Sequence, residues 1–163
     1  MLNGISVFLD ELKGFFVYRH FLIAFDGSEL SHKAIEHAVA LSRPLTAKLT
    51  VLYASPPLAL PLYISPENMP PATETTPSTE VAKEAADILS AARTMIEDAG
   101  LSCDAIHAPG TPPWEAILYE ANRIGCDLIV MASHGRSGVS AVLLGSETQK
   151  VLIHSKIPVL VVR

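Results

Sequence analysis

Short apolar runs alternate along the chain with longer segments that are apolar on one side only. Each run is of the type that forms a strand buried on both faces of a sheet, and most of them end at a glycine, a proline or a polar turn residue. The strands predicted in this way cover residues 21–25, 49–54, 102–107, 127–131 and 157–162.

The segments between the runs carry helix signals. Ser28 can cap a helix whose apolar stripe includes Ala34, Ile35 and Ala38 and which stops before Pro44. Further helices are predicted from Ser78 or Thr79 to Gly100, from Trp114 to Arg123 behind a cap at Thr111 and Pro112, and from Ser146 onward. This β-α-β-α-β-α-β-α-β order predicts an α/β domain: a doubly wound, open parallel sheet of five strands with helices on both faces, Rossmann-like.

Length and composition indicate one domain. The chain has 163 residues, of which 49% are hydrophobic and 18% charged. Its 12 basic and 17 acidic side chains give a net charge of −5, which argues against nucleic acid or an anionic membrane as the main partner. Cys103 and Cys126 lie far apart and form no redox or zinc motif, as expected of a cytoplasmic protein.

Two segments fall outside the alternating pattern. Residues 1–16 are interpreted as an N-terminal extension to a domain over 17–163, because they are amphipathic at helical spacing but too short and too charged to span a bilayer. Residues 56–78 are rich in proline and threonine, which predicts a long loop with little regular structure.

The candidate chemistry lies in the last third of the chain. A buried-type strand runs into Ala132-Ser-His-Gly135, and nine residues later Gly145-Ser146 opens a helix. Glycines let backbone approach a phosphate, and the amides at a helix start carry partial positive charge. The layout therefore predicts a nucleotide site.

The start of that helix predicts how a phosphate would be held. Ser146 with Gln149 is the pattern of a capping box, which would leave the amides of Glu147, Thr148 and Gln149 pointing out of the helix. Arg136 is the nearest cation that could neutralise the phosphate. A serine that merely caps its own helix, for about 1 kcal/mol, stays an alternative.

The spacing Ala132-x-x-Gly135, nine residues, Gly145-Ser146 resembles the universal stress protein family, whose nucleotide-binding members have Gly-x-x-Gly, nine residues, Gly-Ser/Thr at this place. His20–Ser31 is similar to the first strand of that family and the acidic turn after it. The resemblance covers about residues 17–163. It implies the strand order 3-2-1-4-5 and a small stress-response regulator that binds ATP, ADP or AMP, with or without Mg²⁺, and acts through an unidentified protein partner.

Ligands of open α/β sheets lie at the carboxyl ends of the strands where the strand order reverses, which the implied order puts between strands one and four. Asp26 would there reach the ribose or a metal-bridged phosphate, although an aspartate before Gly27 could simply form a turn. No metal ligand and no catalytic residue is assigned. The predicted nucleotide-binding residues are Ala24, Phe25, Asp26, Ala54, Met131, Ala132, Gly135, Arg136, Gly145, Ser146, Glu147 and Thr148.

Three side chains of this region bear on whether a nucleotide fits there. Ala132 replaces the first glycine of the family's motif, so its methyl narrows the site or, at positive φ, costs about 1 kcal/mol. Glu147 puts a carboxylate where a triphosphate is expected, and we expect it to point to solvent. His134, inside the glycine turn, is expected to face water, although it is the one histidine for which a direct ligand contact stays an alternative.

Two other functions stay open. Motifs of efficient ATPases, hydrolases and nucleotidyl transferases are missing from the sequence, but a slow ATP hydrolase or a self-phosphorylating enzyme could use Ser146 or Thr148 as acceptor. The other alternative is a dimeric interaction protein without nucleotide. A homodimer is expected in any case, because the apolar end Val159–Val162 predicts an edge strand that pairs with its own copy, as the resemblance also implies.

Overall fold

The computed structural model describes residues 18–55, 76–136 and 144–163, in which strands and helices alternate as expected. The proposed extension over residues 1–16 and most of the proline-rich segment lie outside these ranges. The elements in chain order are β1 (His20–Ala24), α1 (Glu29–Leu45), β2 (Lys48–Ser55), α2 (Thr76–Asp98), β3 (Cys103–Pro109), α3 (Pro113–Arg123), β4 (Leu128–Ala132), α4 (Ser146–His154) and β5 (Val159–Val162).

The five strands form one parallel sheet in the order β3-β2-β1-β4-β5. Phe21 of β1 lies beside Leu49 of β2 on one side and beside Leu128 of β4 on the other. The predicted fold class and strand order are therefore confirmed. The chain moves outward from β1 to β3 and then returns to β4, so the order reverses between β1 and β4.

The two faces of the sheet bury separate apolar layers. Phe21, Ile23 and Val130 pack toward α1 and α2, while Leu22 and Ile129 pack toward α3 and α4. Alternate residues of the same strand thus enter opposite layers, as the two-residue period of a strand requires. None of the helices that the structure describes is long and apolar enough to cross a membrane.

Helices α1, α2 and α3 each differ from the prediction at one end. The hydroxyl of Ser28 accepts from the amide of Ser31 and caps α1 as expected, but α1 continues through Pro44 into its last turn. Proline has no amide hydrogen, so one helical hydrogen bond is missing there, and only Leu45 follows Pro44 in the helix. Helix α2 begins at Thr76, so the predicted loop ends before residue 78. Helix α3 is preceded by Pro112 and has no side-chain cap from Thr111.

Candidate functional site

A cleft of about 610 Å³ opens at the carboxyl ends of β1, β2 and β4, where the strand order reverses. This is the place where open α/β sheets bind ligands. All of the sequence-predicted binding residues line it: Ala24, Phe25, Asp26, Ala54, Met131, Ala132, Gly135, Arg136, Gly145, Ser146, Glu147 and Thr148. The sequence thus identified residues that the fold brings together, and their contact with a ligand stays a prediction.

The cleft also has walls that sequence reasoning missed. Leu52, Pro113 and Ile117 join Ala24 and Met131 as its apolar lining. The signal for Leu52 was its place near the end of a predicted strand, whereas Pro113 and Ile117 follow only from the packing of α3 on the sheet. Its other lining residues are Ser31, Tyr53, Ser55, Val81, Glu84 and His134.

Asp26 joins the turn after β1 to the glycine turn after β4. Its Oδ1 accepts from the amide of Ser28 at 3.0 Å and from the Ser28 hydroxyl at 2.6 Å, and its Oδ2 accepts from the amide of Arg136 at 2.8 Å. Burial raises the pKa of this carboxyl, but the hydrogen bonds from Ser28 and Arg136 outweigh burial and lower the pKa overall. Asp26 therefore does stabilise a turn. A bound ligand would have to share its carboxylate with Ser28 and Arg136.

The two motif glycines permit close packing within the protein. A methyl group on Gly135 would lie 2.6 Å from Asp26 Oδ2, and one on Gly145 would lie 3.0 Å from the carbonyl oxygen of Ser133. The Gly145 amide donates to that same oxygen at 2.8 Å. Neither glycine has a positive φ. These positions therefore require glycine because a side chain would be too close to its neighbours, and not because of backbone conformation.

Ala132 is the last residue of β4 and carries no backbone strain. Thr46 alone, among the non-glycine residues that the structure describes, has a positive φ, so the strained form of Ala132 considered above does not occur. The carbonyl of Ala132 accepts from the hydroxyl of Thr148 at 3.0 Å, and Thr148 is 3% exposed. The Thr148 side chain therefore fastens the start of α4 to the end of β4.

Helix α4 begins differently from the predicted capping box. Gly145 is the N-cap and supplies no side-chain hydrogen bond, and Ser146 is the first helical residue. The amide of Gln149 donates to the Gly145 carbonyl at 2.9 Å, and its side chain donates to the Leu144 carbonyl. Because Gln149 makes the first helical bond, the amides without an acceptor inside the helix are those of residues 146–148, one position earlier than predicted.

Glu147 does not point freely to solvent as expected. Its Oε2 accepts from the amide of Trp114 at 3.0 Å, and its Oε1 pairs with Lys150 Nζ at 2.8 Å. Since α3 has no side-chain cap of its own, Glu147 supplies one from another helix. The carboxylate charge is thus offset by Lys150 and by the positive end of α3.

Arg136 is already paired. Its guanidinium donates to Glu84 of α2, and this hydrogen bond raises the pKa of Arg136. A phosphate in the cleft would have to compete with Glu84 for this cation. Within the described ranges, no group of three or more histidine, cysteine or acidic side chains is arranged to hold a metal ion.

Comparisons with known proteins agree with this architecture. The sequence model of the universal stress protein family matches residues 17–163. Universal stress protein YxiE of Bacillus subtilis is 34% identical over 154 residues, which cover 90% of this chain and 100% of that protein. The chain belongs to the universal stress protein family, as the motif spacing predicted.

Solved structures show the same fold. Protein MJ0577 of Methanocaldococcus jannaschii has a TM-score of 0.74 and 27% identity, with 90% of this chain and 96% of that chain covered. A universal stress protein in complex with cAMP has a TM-score of 0.60 and 25% identity, with 90% and 97% covered. A relative of this chain is therefore a nucleotide-binding protein.

Proposed function

We propose that the cleft binds an adenine nucleotide, ATP, ADP or AMP, and that the protein is a cytoplasmic stress-response regulator acting through a protein partner. One observation carries the proposal: the predicted binding residues, drawn from distant parts of the sequence, line a single cleft at the reversal of strand order. The cAMP complex of a relative supports the ligand class.

The lining of the cleft suits both the base and the phosphate of a nucleotide. Leu52, Ile117 and Met131 form part of one apolar cluster and offer a surface for a base. The amides at the start of α4 offer hydrogen bonds and partial positive charge for phosphate. Because Gly135 and Gly145 have no side chains, backbone can approach the phosphate closely there.

Calorimetry with ATP, ADP, AMP and adenosine, with and without Mg²⁺, tests the proposal on the intact protein. We expect the three nucleotides to bind more tightly than adenosine, because adenosine lacks the phosphate that the α4 amides would hold. Mass spectrometry of denatured protein should detect co-purified nucleotide. Absence of binding by all four ligands at millimolar concentration would leave the nucleotide-free dimer as the better account.

A second candidate function, self-phosphorylation, is favoured by one difference between the two possible acceptors. Ser146 is exposed at the cleft, whereas the Thr148 hydroxyl is buried and donates to a backbone carbonyl. Incubation with ATP and Mg²⁺ should then add phosphate to wild-type protein but not to a Ser146→Ala variant. If neither protein gains phosphate, self-phosphorylation is excluded, and the nucleotide-binding proposal is unaffected.

Glu147→Gln should strengthen ATP binding. The glutamine side-chain oxygen can still accept from the Trp114 amide, so the cap of α3 is retained while one negative charge leaves the cleft. We expect affinity to rise about two- to fivefold at low salt, a gain of the size of one screened charge interaction, and the gain to shrink at high salt. Glu147→Ala is the control, since it also removes the cap and should lower the free energy of unfolding by about 1 kcal/mol.

The homodimer is proposed to form through β5. This strand is an edge of the sheet, and Val159, Leu160 and Val161 are only partly buried within one chain. Ile153, in the last turn of the helix that precedes β5, is 74% exposed. Pairing β5 with its own copy would cover this apolar edge.

A lysine at the edge should break that dimer. We expect Val161→Lys to sediment as a monomer at micromolar concentration, because a charge would be buried between the paired edges. Tyr119→Lys on α3 is the control, since Tyr119 is 67% exposed and lies near β3 at the other edge of the sheet. A folded Val161→Lys protein that remains dimeric would contradict the β5 interface.

A further inference from the structure

A second groove lies at the edge of the sheet, between strand β3 and helix α3. It has a volume of about 630 Å³. None of its lining residues lines the cleft at the reversal of strand order, whereas Pro113 and Ile117 of the same helix do, so α3 is a wall of both. The groove is lined by His107, Ala108, Pro109, Thr111, Trp114, Glu115, Ala116, Leu118, Tyr119 and Glu120.

The backbone of β3 is paired on one side only. Strand β2 lies beside it, and no other strand of the described ranges does. The amide of Gly110, just after β3, donates to the Ser55 carbonyl of β2. Because alternate residues of a parallel strand face the same neighbour, the backbone groups of Ala105 and His107 point away from β2. They can bond to an added strand, whereas Pro109 has no amide hydrogen and limits the pairing to the residues before it.

The α3 wall of the groove places a carboxylate beside an aromatic ring. Glu115 and Tyr119 are four residues apart in the helix, so their side chains share one face. Tyr119 is 67% exposed. Glu115 is exposed too, and it forms no ion pair with any residue that the structure describes. A free carboxylate next to a ring face attracts a cation through both charge and the ring quadrupole.

The remaining carboxylate of the groove is already neutralised. Arg123 Nη2 lies 2.6 Å from Glu120 Oε2, and Arg123 Nε donates to the same oxygen at 2.7 Å. The lining residues include no lysine and no arginine. Glu115 therefore carries the unbalanced charge of the groove, and the complementary charge on a partner is positive.

We infer that this groove binds an extended segment of a partner protein, which adds a strand to β3 and places a lysine or arginine side chain against Glu115 and Tyr119. The backbone of β3 supplies hydrogen bonds of any sequence, and the α3 wall selects the side chain. The inference rests on the part of the proposed function that gives the protein a partner, and it does not depend on nucleotide binding.

Peptide binding to the intact protein, without nucleotide, tests the inference. The probe is a short blocked peptide of alternating valine and lysine. One matched peptide has glutamate in place of each lysine, and another keeps the lysines but has every second backbone amide methylated. Trp114 lines the groove and is the only tryptophan of the chain, so its emission reports binding. We expect the lysine peptide to bind at least about tenfold more tightly than either matched peptide.

Two variants examine the α3 wall. Glu115→Gln should weaken binding of the lysine peptide about three- to tenfold at low salt, and the difference should shrink at high salt because it arises from charge. Tyr119→Ala should weaken it about two- to fivefold through loss of the ring. Glu36→Gln is the matched control, since Glu36 is an exposed glutamate of α1, which packs on the opposite face of the sheet. Urea unfolding checks that each variant is folded.

The outcomes separate this inference from nucleotide binding. A wild-type protein that binds no lysine peptide at millimolar concentration overturns the inference and leaves the nucleotide proposal untouched. Equal binding of the lysine and glutamate peptides, equal binding of the methylated peptide, or a folded Glu115→Gln protein of unchanged affinity also overturns it. So does a change of oligomeric state in Tyr119→Ala, which would assign the groove to a second copy of the chain. Peptide binding as expected in a protein that binds no nucleotide supports this inference and overturns the nucleotide proposal alone.

Discussion

Gly135→Ala is expected to lower the free energy of unfolding by roughly 1–3 kcal/mol, the usual range for overpacking, and to do so only while Asp26 is present. The added methyl would lie 2.6 Å from Asp26 Oδ2. Asp26 cannot simply swing away, because its carboxylate accepts from Ser28 and from the Arg136 amide. Denaturant unfolding of wild type and variant measures the loss.

A double-mutant cycle identifies the cause of that loss. In an Asp26→Ala background the carboxylate is gone, so adding Gly135→Ala should change the free energy of unfolding by only a few tenths of a kcal/mol. Gly145→Ala is the comparison at the other motif glycine, because its methyl would meet a backbone oxygen that no side-chain change can remove. A full loss at Gly135 in the Asp26→Ala background would show that another contact requires this glycine.

The same cycle separates the two reasons for a glycine at position 135. One explanation is that position 135 needs glycine only because a methyl group there would clash with Asp26. In that case ATP affinity should follow stability and recover when the Asp26 carboxylate is removed. If backbone at Gly135 also approaches phosphate, affinity should remain low in the double variant, measured against Asp26→Ala alone, although the fold has recovered. Calorimetry on the four proteins of the cycle distinguishes these results.

Much of the fold could be predicted because its signals are local. The apolar runs that became β1 and β4 are continuous in sequence, and the Ser28 cap lies next to the helix that it starts. The strand order was different: periodicity does not specify which strands are neighbours, and the order followed from the family resemblance. The cleft could be predicted once that order placed β1 beside β4.

The partners of the cleft's charged side chains could not be predicted, because they are distant in sequence. Glu147 meets the amide of Trp114 across 33 residues, and Arg136 meets Glu84 across 52. These contacts depend on how α3, α4 and α2 pack, which a helical pattern does not specify. Charge type alone suggested that Glu147 would repel a ligand, whereas packing gave it a structural partner.

The error at the start of α4 has a different origin. Serine is a better N-cap than glycine by propensity, so the sequence favoured Ser146. In the structure, the Gly145 amide donates to the Ser133 carbonyl, and Gly145 fits against that turn because it has no side chain. The tertiary contact of Gly145 outweighs the local preference of Ser146 and moves the N-cap one residue earlier, to Gly145.

Acid should remove a contribution that Asp26 makes to stability. Its hydrogen bonds with Ser28 and Arg136 more than offset burial and hold the pKa of its carboxyl below the ordinary value. A carboxyl with a lowered pKa in the folded state stabilises the protein above its unfolded pKa, and that stabilisation is lost as the pH falls through the folded pKa. Stability should therefore decline from about pH 4, near the ordinary aspartate pKa of about 3.9, downward.

Asp26→Asn isolates this contribution. The asparagine amide group can accept with one atom only, so either Ser28 or the Arg136 amide loses its acceptor, and the free energy of unfolding at pH 7 should fall by roughly 1–3 kcal/mol. The difference between wild type and variant should be constant from pH 7 to about pH 5 and should shrink below about pH 4 as the wild-type carboxylate is protonated. Urea unfolding at fixed protein concentration measures it.

Asp87→Asn controls for the loss of one negative charge, since Asp87 lies on an exposed part of α2. If the Asp26→Asn difference stayed constant down to pH 2, the carboxylate would contribute through shape and not through charge. The same titration bears on the ligand, because Asp26 can serve a nucleotide only while its Oδ2 also holds the glycine turn through Arg136. We therefore expect nucleotide affinity and stability to decline together as Asp26 is protonated, and an affinity that fell at higher pH than stability would point to a different titrating group.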